Sequence, residues 1–284
     1  MYQLRKAVLN MIFSDQHMHS DFSGDSDAKM SDMINSAINK GLKTICFTDH
    51  YDPLFPCYRP EEDNIFDLDT KKYQENAVII RNDESIQSKI NVRIGMELGI
   101  YPKVYEMCKG IVKEYPYDFI ILSSHTAGET DPYLPSYWEG INPIYGIKKY
   151  YEEILLNLQN FDDFDVYGHL DYCVRYTKTT KEQRSIDNYK EIIREIFRII
   201  VDKNKGIEIN SGGLRKGNLN EFNPSPEILS FYKECGGEII TFGSDAHNPD
   251  DIAYGINEAC EVLKNIGFKY IAEFKERKAS YIKI

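Results

Sequence analysis

EIITFGSDAHNPDD, residues 238–251, opens with an apolar run rich in Ile and Phe and closes on an aspartate and a histidine, Asp245 and His247. A run of this length, bounded by polar residues and lacking strict alternation, reads as a strand buried on both faces. Behind it, Ile252, Ile256, Ala259, Cys260 and Leu263 recur at helical spacing up to Gly267, a natural stop. The unit is therefore strand, polar loop with chemistry-bearing side chains, then helix.

Outward from this unit the same order recurs. Residues 12–17, 44–48, 91–97, 118–123, 165–169 and 206–210 are short runs rich in Ile, Val or Phe. Between them lie amphipathic stretches. Met30, Met33, Ile34, Ala37 and Ile38 share one face before Gly41, and Ile186, Tyr189, Ile193, Ile196, Phe197 and Ile200 share another. Seven strands alternating with helices predict a parallel sheet covered by helices. With 284 residues, each unit has about 40, which suits a barrel closed by βα units in one domain, an open doubly wound sheet being the alternative. Residues 1–10 read as an N-terminal extension and 11–284 as the domain. The long segments 51–69 and 126–142, rich in Pro, Tyr and acidic residues, are expected to line or gate a site.

Composition narrows the function classes. Apolar residues make up 42% and charged residues 28%, the balance of a chain that folds around a core. The net charge of -11 repels nucleic-acid backbones, so no nucleic-acid partner is expected. No apolar run approaches the ~18 residues of a membrane span, so no membrane partner is expected either. Six scattered cysteines without a CxxC pair, and no cleavage pattern near the start, suggest reduced thiols and a cytoplasmic location.

The six histidines carry the chemistry. His17, His19, His50, His125, His169 and His247 all fall at or just beyond the carboxyl end of an expected strand. In a parallel barrel those ends meet at one mouth, where catalytic groups gather. A lone histidine at a strand end is ordinarily just hydrogen-bonded; six of six converging is not. Asp15, Asp49, Glu97 and Asp245 share the same addresses. Imidazole with carboxylate and no thiolate suits Zn, Mn or Fe. The ligands are too many for one ion, so two to three divalent ions are expected. In His17-Met18-His19 the alternate residues project to one side, and Glu97 is able to bridge two cations. Such a centre makes hydroxide at neutral pH and favours hydrolysis.

Six segments in order, DQHMHSDFSGDS, ICFTDHYD, IGMELG, LSSHTAG, YGHLDY and FGSDAHNPDDI, resemble the motifs of the PHP (polymerase and histidinol phosphatase) superfamily. GIEINSGGLRKGNLNEFNPSPEIL, HLDYCVRY and the tail GFKYIAEFKERKASYIKI resemble its histidinol-phosphate phosphatase branch. The resemblance implies a distorted TIM-like (β/α)7 barrel with a trinuclear metal centre. Carried over by position, His17, His19, Glu97 and Asp245 would hold the first ion, and Glu97, His125 and His169 the second. His50, His247 and a residue of the first loop would hold the third. Many members have a histidine in that loop; this chain has Asp25 at the matching position, with Asp21 as the alternative.

Arg175 after GHLDY and Arg215 after EINSGGL are candidate phosphate clamps, because a guanidinium fork matches phosphate oxygens. Asp49 and Asp171 are expected to orient imidazoles. Glu97, Asp245 and His247 are the expected catalytic groups, His247 or bound water supplying a proton to the leaving alkoxide. The resemblance thus implies a phosphomonoesterase that cleaves L-histidinol phosphate, a small phosphorylated metabolite, by metal-activated hydroxide. Another small phosphomonoester such as phosphotyrosine is the nearer alternative. A nuclease or a noncatalytic metal-binding protein is the more distant one. Oligomeric state is not legible.

Overall fold

Strand β1 spans Ser14–Met18, β2 Thr44–Phe47, β3 His50–Tyr51, β4 Asn91–Gly99 and β5 Phe119–Ser123. They are followed by β6 Val166–Tyr167, β7 Gly206–Asn210 and β8 Ile240–Gly243. The computed structural model describes residues 14–56, 65–176 and 178–284. The expected extension at 1–10 and the first two residues of the first expected strand lie outside them.

The sheet runs β1-β2-β4-β5-β6-β7-β8 with every pair parallel, and β3 pairs alongside β4. The last strand returns to the first: Asp245 N–H donates to the His17 carbonyl at 2.9 Å, and His19 N–H to the Ala246 carbonyl at 2.8 Å. The seven expected strands thus form one nearly closed barrel in a single α/β domain. Helices cover its outside, as their periodicity predicts. Ile193, Ile196, Phe197 and Ile200 are the buried stripe of the helix Lys190–Asp202. Gly41 and Gly267 end the helices before them with φ of +82° and +107°, a conformation that disfavours a side chain.

One element was not legible. The tail forms an antiparallel hairpin, β9 Tyr270–Lys275 with β10 Lys278–Lys283. Its two-residue turn, Glu276-Arg277, has both φ positive, as the twist of a tight hairpin requires, yet lacks the Asn-Gly or Asp-Gly that advertises such turns. The hairpin plugs the amino end of the barrel. Phe274 stacks on Phe119 at 4.8 Å and packs with Cys46, Ile121 and Val166 in an apolar plug distinct from the outer core. Asp118 and Asp165, at the strand starts, fasten it through the Glu276 N–H and the Arg277 guanidinium. The hairpin closes that end, and the histidines stand at the opposite mouth.

Candidate metal centre

All six histidines meet at the carboxyl mouth of the barrel. His17 and His19 leave the end of β1, and their Nε2 atoms come within 3.0 Å of each other. His50 lies on β3 directly across from Glu97 of β4 in the parallel register. His125, His169 and His247 follow β5, β6 and β8. Glu97 is 1% exposed and stands at the centre. Its Oε2 lies 3.1 Å from His17 Nε2 and 3.3 Å from His50 Nδ1, and its Oε1 lies 3.2 Å from His125 Nε2 and 2.8 Å from His169 Nε2.

Behind this ring a second set of groups fixes the imidazoles. Glu208 Oε1 accepts from His17 Nδ1 at 2.6 Å, and Asp52 Oδ1 accepts from His125 Nδ1 at 2.6 Å. Ser23 Oγ donates to Asp49, so it accepts from His19 Nδ1 at 3.0 Å. The Asp245 carbonyl accepts from His247 Nδ1 at 2.9 Å. Each Nδ1 thereby carries its proton, and each Nε2 keeps a lone pair aimed inward.

The lone pairs then face one another or a carboxylate: His17 against His19 and Glu97, His125 against Glu97, and His247 Nε2 against Asp25 Oδ2 at 3.0 Å. Acceptor facing acceptor at such distances calls for a cation or a proton between them. Without ions, protons fill the role. Burial alone would depress His17 and His125, but the carboxylates around them outweigh it. Glu208 and Glu97 hold His17 well above its ordinary value, and Asp52 and Glu97 hold His125 at about 10. Burial, with His247 and His50 nearby, instead drives His19 down to about 3. Burial opposes ionisation of Glu97, yet His17, His50 and His125 keep it well below the usual carboxylate range. Among the described residues, three sets of donors close enough to share an ion stand out: His17, His19 and Glu97; His50, Glu97 and His125; and His19, Asp25, His50 and His247. The residues present fit divalent ions.

Asp25 therefore lies in the cluster, its Oδ2 3.6 Å from His50 Nε2, whereas Asp21 belongs to none of the three sets. Asp245 Oδ1 is 3.4 Å from His19 Nε2 and 3.8 Å from His17 Nε2. Its backbone is left-handed, φ +56°, a conformation uncommon for a residue with a side chain and tolerated best by Asp and Asn.

The two arginines part company. Arg175 enters the mouth, donating from Nη1 to Asp245 Oδ2 at 3.2 Å, from Nη2 to Asn210 Oδ1 at 2.7 Å and from Nε to Asn223 Oδ1 at 2.6 Å. Arg215 is turned away from the donors. Its Nη2 is spent on the carbonyls of Ser244 and Asp245 and its Nη1 pairs with Asp251 at 3.3 Å. It is absent from the cleft lining and braces the turn that carries Asp245. Asp171, expected to orient an imidazole, touches Asn223 and Ser225 instead. His247 has both ring nitrogens engaged, Nδ1 with the Asp245 carbonyl and Nε2 with Asp25.

Over the donors opens a cleft of about 510 Å³. Arg175 and Asp131 line it, together with two aromatic pairs in edge contact, Phe55 with Phe66 and Tyr172 with Tyr176. Both long segments thus reach the cleft, as expected. Trp138 does not; its indole Nε1 donates to the Pro132 carbonyl at 2.8 Å. Residues missed in the sequence are Asp52, Glu208, Asn210 and Asn223. A glutamate inside the apolar strand GIEIN was the available signal for Glu208, since a carboxylate there must have a partner. Among the described residues, no helix is long and apolar enough to cross a membrane.

A parallel barrel with clustered imidazoles and carboxylates at its carboxyl mouth is the layout of metal-dependent barrel hydrolases. More narrowly, residues 15–212 match the PHP domain profile, and the chain belongs to that family. It is 31% identical over 266 residues to histidinol-phosphatase from Lactococcus lactis subsp. lactis, covering 93% of this chain and 95% of that one. It is 28% identical to a "Probable histidinol-phosphatase" of Clostridium acetobutylicum, covering 95% and 100%. The crystal structure of the Lactococcus lactis histidinol phosphate phosphatase, complexed with zinc, L-histidinol and phosphate, superposes with a TM-score of 0.84 at 29% identity, over 95% of this chain and 99% of that one.

Proposed function

We propose that this protein is a metal-dependent phosphomonoesterase that hydrolyses L-histidinol phosphate to L-histidinol and phosphate, a step of histidine biosynthesis in the cytoplasm. The observation that carries the reading is the ring of inward lone pairs around Glu97 with the Arg175 guanidinium at its edge. End-to-end similarity to the Lactococcus lactis enzyme supports the substrate.

Two to three ions, zinc by the same likeness, are assigned as follows. His17, His19, Glu97 and Asp245 would hold the first, Glu97, His125 and His169 the second, and His50, His247 and Asp25 the third. Divalent ions there acidify water and withdraw charge from a phosphoryl group.

The chain's own residues do the rest. Three of the five N–H groups of Arg175 are engaged with Asp245, Asn210 and Asn223, leaving one on each terminal nitrogen for two phosphate oxygens. The charge that spreads over those oxygens in the transition state meets donors already oriented, so no reorganisation is needed during reaction. Glu208, Asp52 and Ser23 keep three imidazoles in one tautomer each. Phe55, Phe66, Tyr172 and Tyr176 wall the cleft and limit water around the leaving group. His247, with both nitrogens engaged, serves to hold an ion rather than to donate a proton.

Phosphate release from L-histidinol phosphate by zinc- or manganese-reconstituted protein tests the reading. Full metal content with no release would overturn it.

A further inference from the structure

Asp171 lies two residues beyond His169 and is 3% exposed. Its carboxylate accepts from Asn223 Nδ2 at 2.7 Å and from the Ser225 backbone N–H at 3.1 Å, at the start of the helix Pro226–Glu234. Asn223, itself fully buried, turns its other end to Arg175, whose Nε donates to Oδ1 at 2.6 Å. We propose that Asp171 is a positioning residue which, through Asn223, fixes the plane of the Arg175 guanidinium for a phosphoryl group. The proposal rests on the reading of Arg175 as the phosphate contact.

The physical reason lies in the side-chain amide. Its two ends have nearly the same shape and opposite hydrogen-bonding polarity, so shape alone does not decide which end faces Arg175. An anion behind it does decide, because only the NH2 end faces a carboxylate favourably. Oδ1 must then face Nε. Without the charge at 171 only Arg175 itself opposes a turned amide, whose NH2 would confront its Nε–H, donor against donor. The backbone leaves no other freedom: Asn223 and Asn210 exchange N–H···O bonds of 2.9 and 2.8 Å.

The second anchor of Arg175 is built the same way. Asn210 Oδ1 accepts from Nη2 at 2.7 Å while its Nδ2 donates to Glu208 Oε2 at 3.1 Å. Each asparagine that grips the guanidinium thus has a buried carboxylate at its amide nitrogen, and Asn210 also accepts the Gly212 N–H at its oxygen, 2.8 Å away. Glu208 also touches His17, so its removal would disturb the metal donors. Asp171 makes no hydrogen bond to a metal donor, which makes it the position at which positioning is separable from ion holding.

The experiment is a double-mutant cycle on zinc-loaded full-length protein: wild type, Asp171→Asn, Arg175→Ala and the double variant. The readout is the inhibition constant of inorganic phosphate, with zinc content and Tm alongside. Asp171→Asn is expected to weaken phosphate inhibition roughly three- to tenfold, the scale of one hydrogen bond. In the Arg175→Ala background the same change is expected to do nothing further. Equal losses in both backgrounds, or no loss in the first, would overturn the positioning role alone. Unchanged inhibition in Arg175→Ala would overturn the phosphate contact and the positioning role with it. If Asp171→Asn does not fold, Asp171→Ser removes the charge without enlarging the side chain and is read against the same convergence.

Discussion

His50 and Glu97 are register partners in adjacent parallel strands, and their side chains meet at 3.3 Å over the barrel mouth. Because strand pairing itself sets this contact, the central carboxylate is positioned by the sheet rather than by a loop. Glu97 turns its other oxygen to His125 and His169. Glu97→Gln replaces one of these oxygens by a donor in a ring of acceptors. Turnover is expected to fall by more than the roughly 10- to 100-fold typical of losing an outer-shell partner, with metal per chain reduced and the far-UV spectrum unchanged. Near-normal turnover at full metal content would contradict the central role.

Asp25 tests the third ion. Its side chain, 38% exposed, is the outermost donor of the cluster, facing both His247 and His50. Asp25→Ala is expected to lower metal content by up to one equivalent, read by elemental analysis. Asp25→His is expected to retain activity with a shifted preference among Zn and Mn, since imidazole is the softer donor. Full occupancy in Asp25→Ala would move the role elsewhere.

The two arginines are expected to separate cleanly. Arg175→Lys keeps the charge and loses the fork, so kcat/KM should fall about ten- to a hundredfold, since charge-assisted hydrogen bonds contribute roughly 1.5–3 kcal/mol. Arg215→Ala removes donors to the Ser244 and Asp245 carbonyls, so Tm should fall while phosphate inhibition of the folded, metal-loaded protein stays unchanged. A weakened phosphate inhibition at unchanged Tm would restore the clamp role to Arg215.

Metal removal carries a pH signature. In chelated protein, burial opposes the charge on His125, but Asp52 and Glu97 hold it at about 10 against an ordinary 6.5. A pKa raised by folding adds stability that is fully present below about pH 6.5 and is lost as the pH climbs through about 10. The Tm of chelated protein should therefore fall across that window. Zinc addition at pH 7 should release protons, measurable by calorimetry in buffers of different ionisation enthalpy. Metal uptake without proton release would contradict the protonated ring.

Much of the barrel was legible because burial on both faces leaves continuous apolar runs, and all six histidines mark strand ends. The pieces that were not legible share a cause. Glu208, Asp52 and Asn223 act through contacts between residues far apart in sequence, as in the 191-residue separation of His17 and Glu208. Spacing carries no trace of such pairs. Position after a strand end does not say which way a long side chain turns, and the donors of Arg215 turn to the Ser244 and Asp245 carbonyls and to Asp251. The tail hairpin hid behind a Glu-Arg turn with positive φ at both residues, which Asp118 and Asp165 fasten from the barrel.

The central claim is tested most directly by kcat/KM of zinc-reconstituted protein on L-histidinol phosphate beside phosphotyrosine and a short oligonucleotide. The account predicts phosphate release from L-histidinol phosphate with a kcat/KM at least about a hundredfold above either alternative, a difference of some 2.7 kcal/mol in transition-state binding. Equal or faster release from phosphotyrosine, or cleavage of the oligonucleotide, by the same fully loaded protein would contradict it.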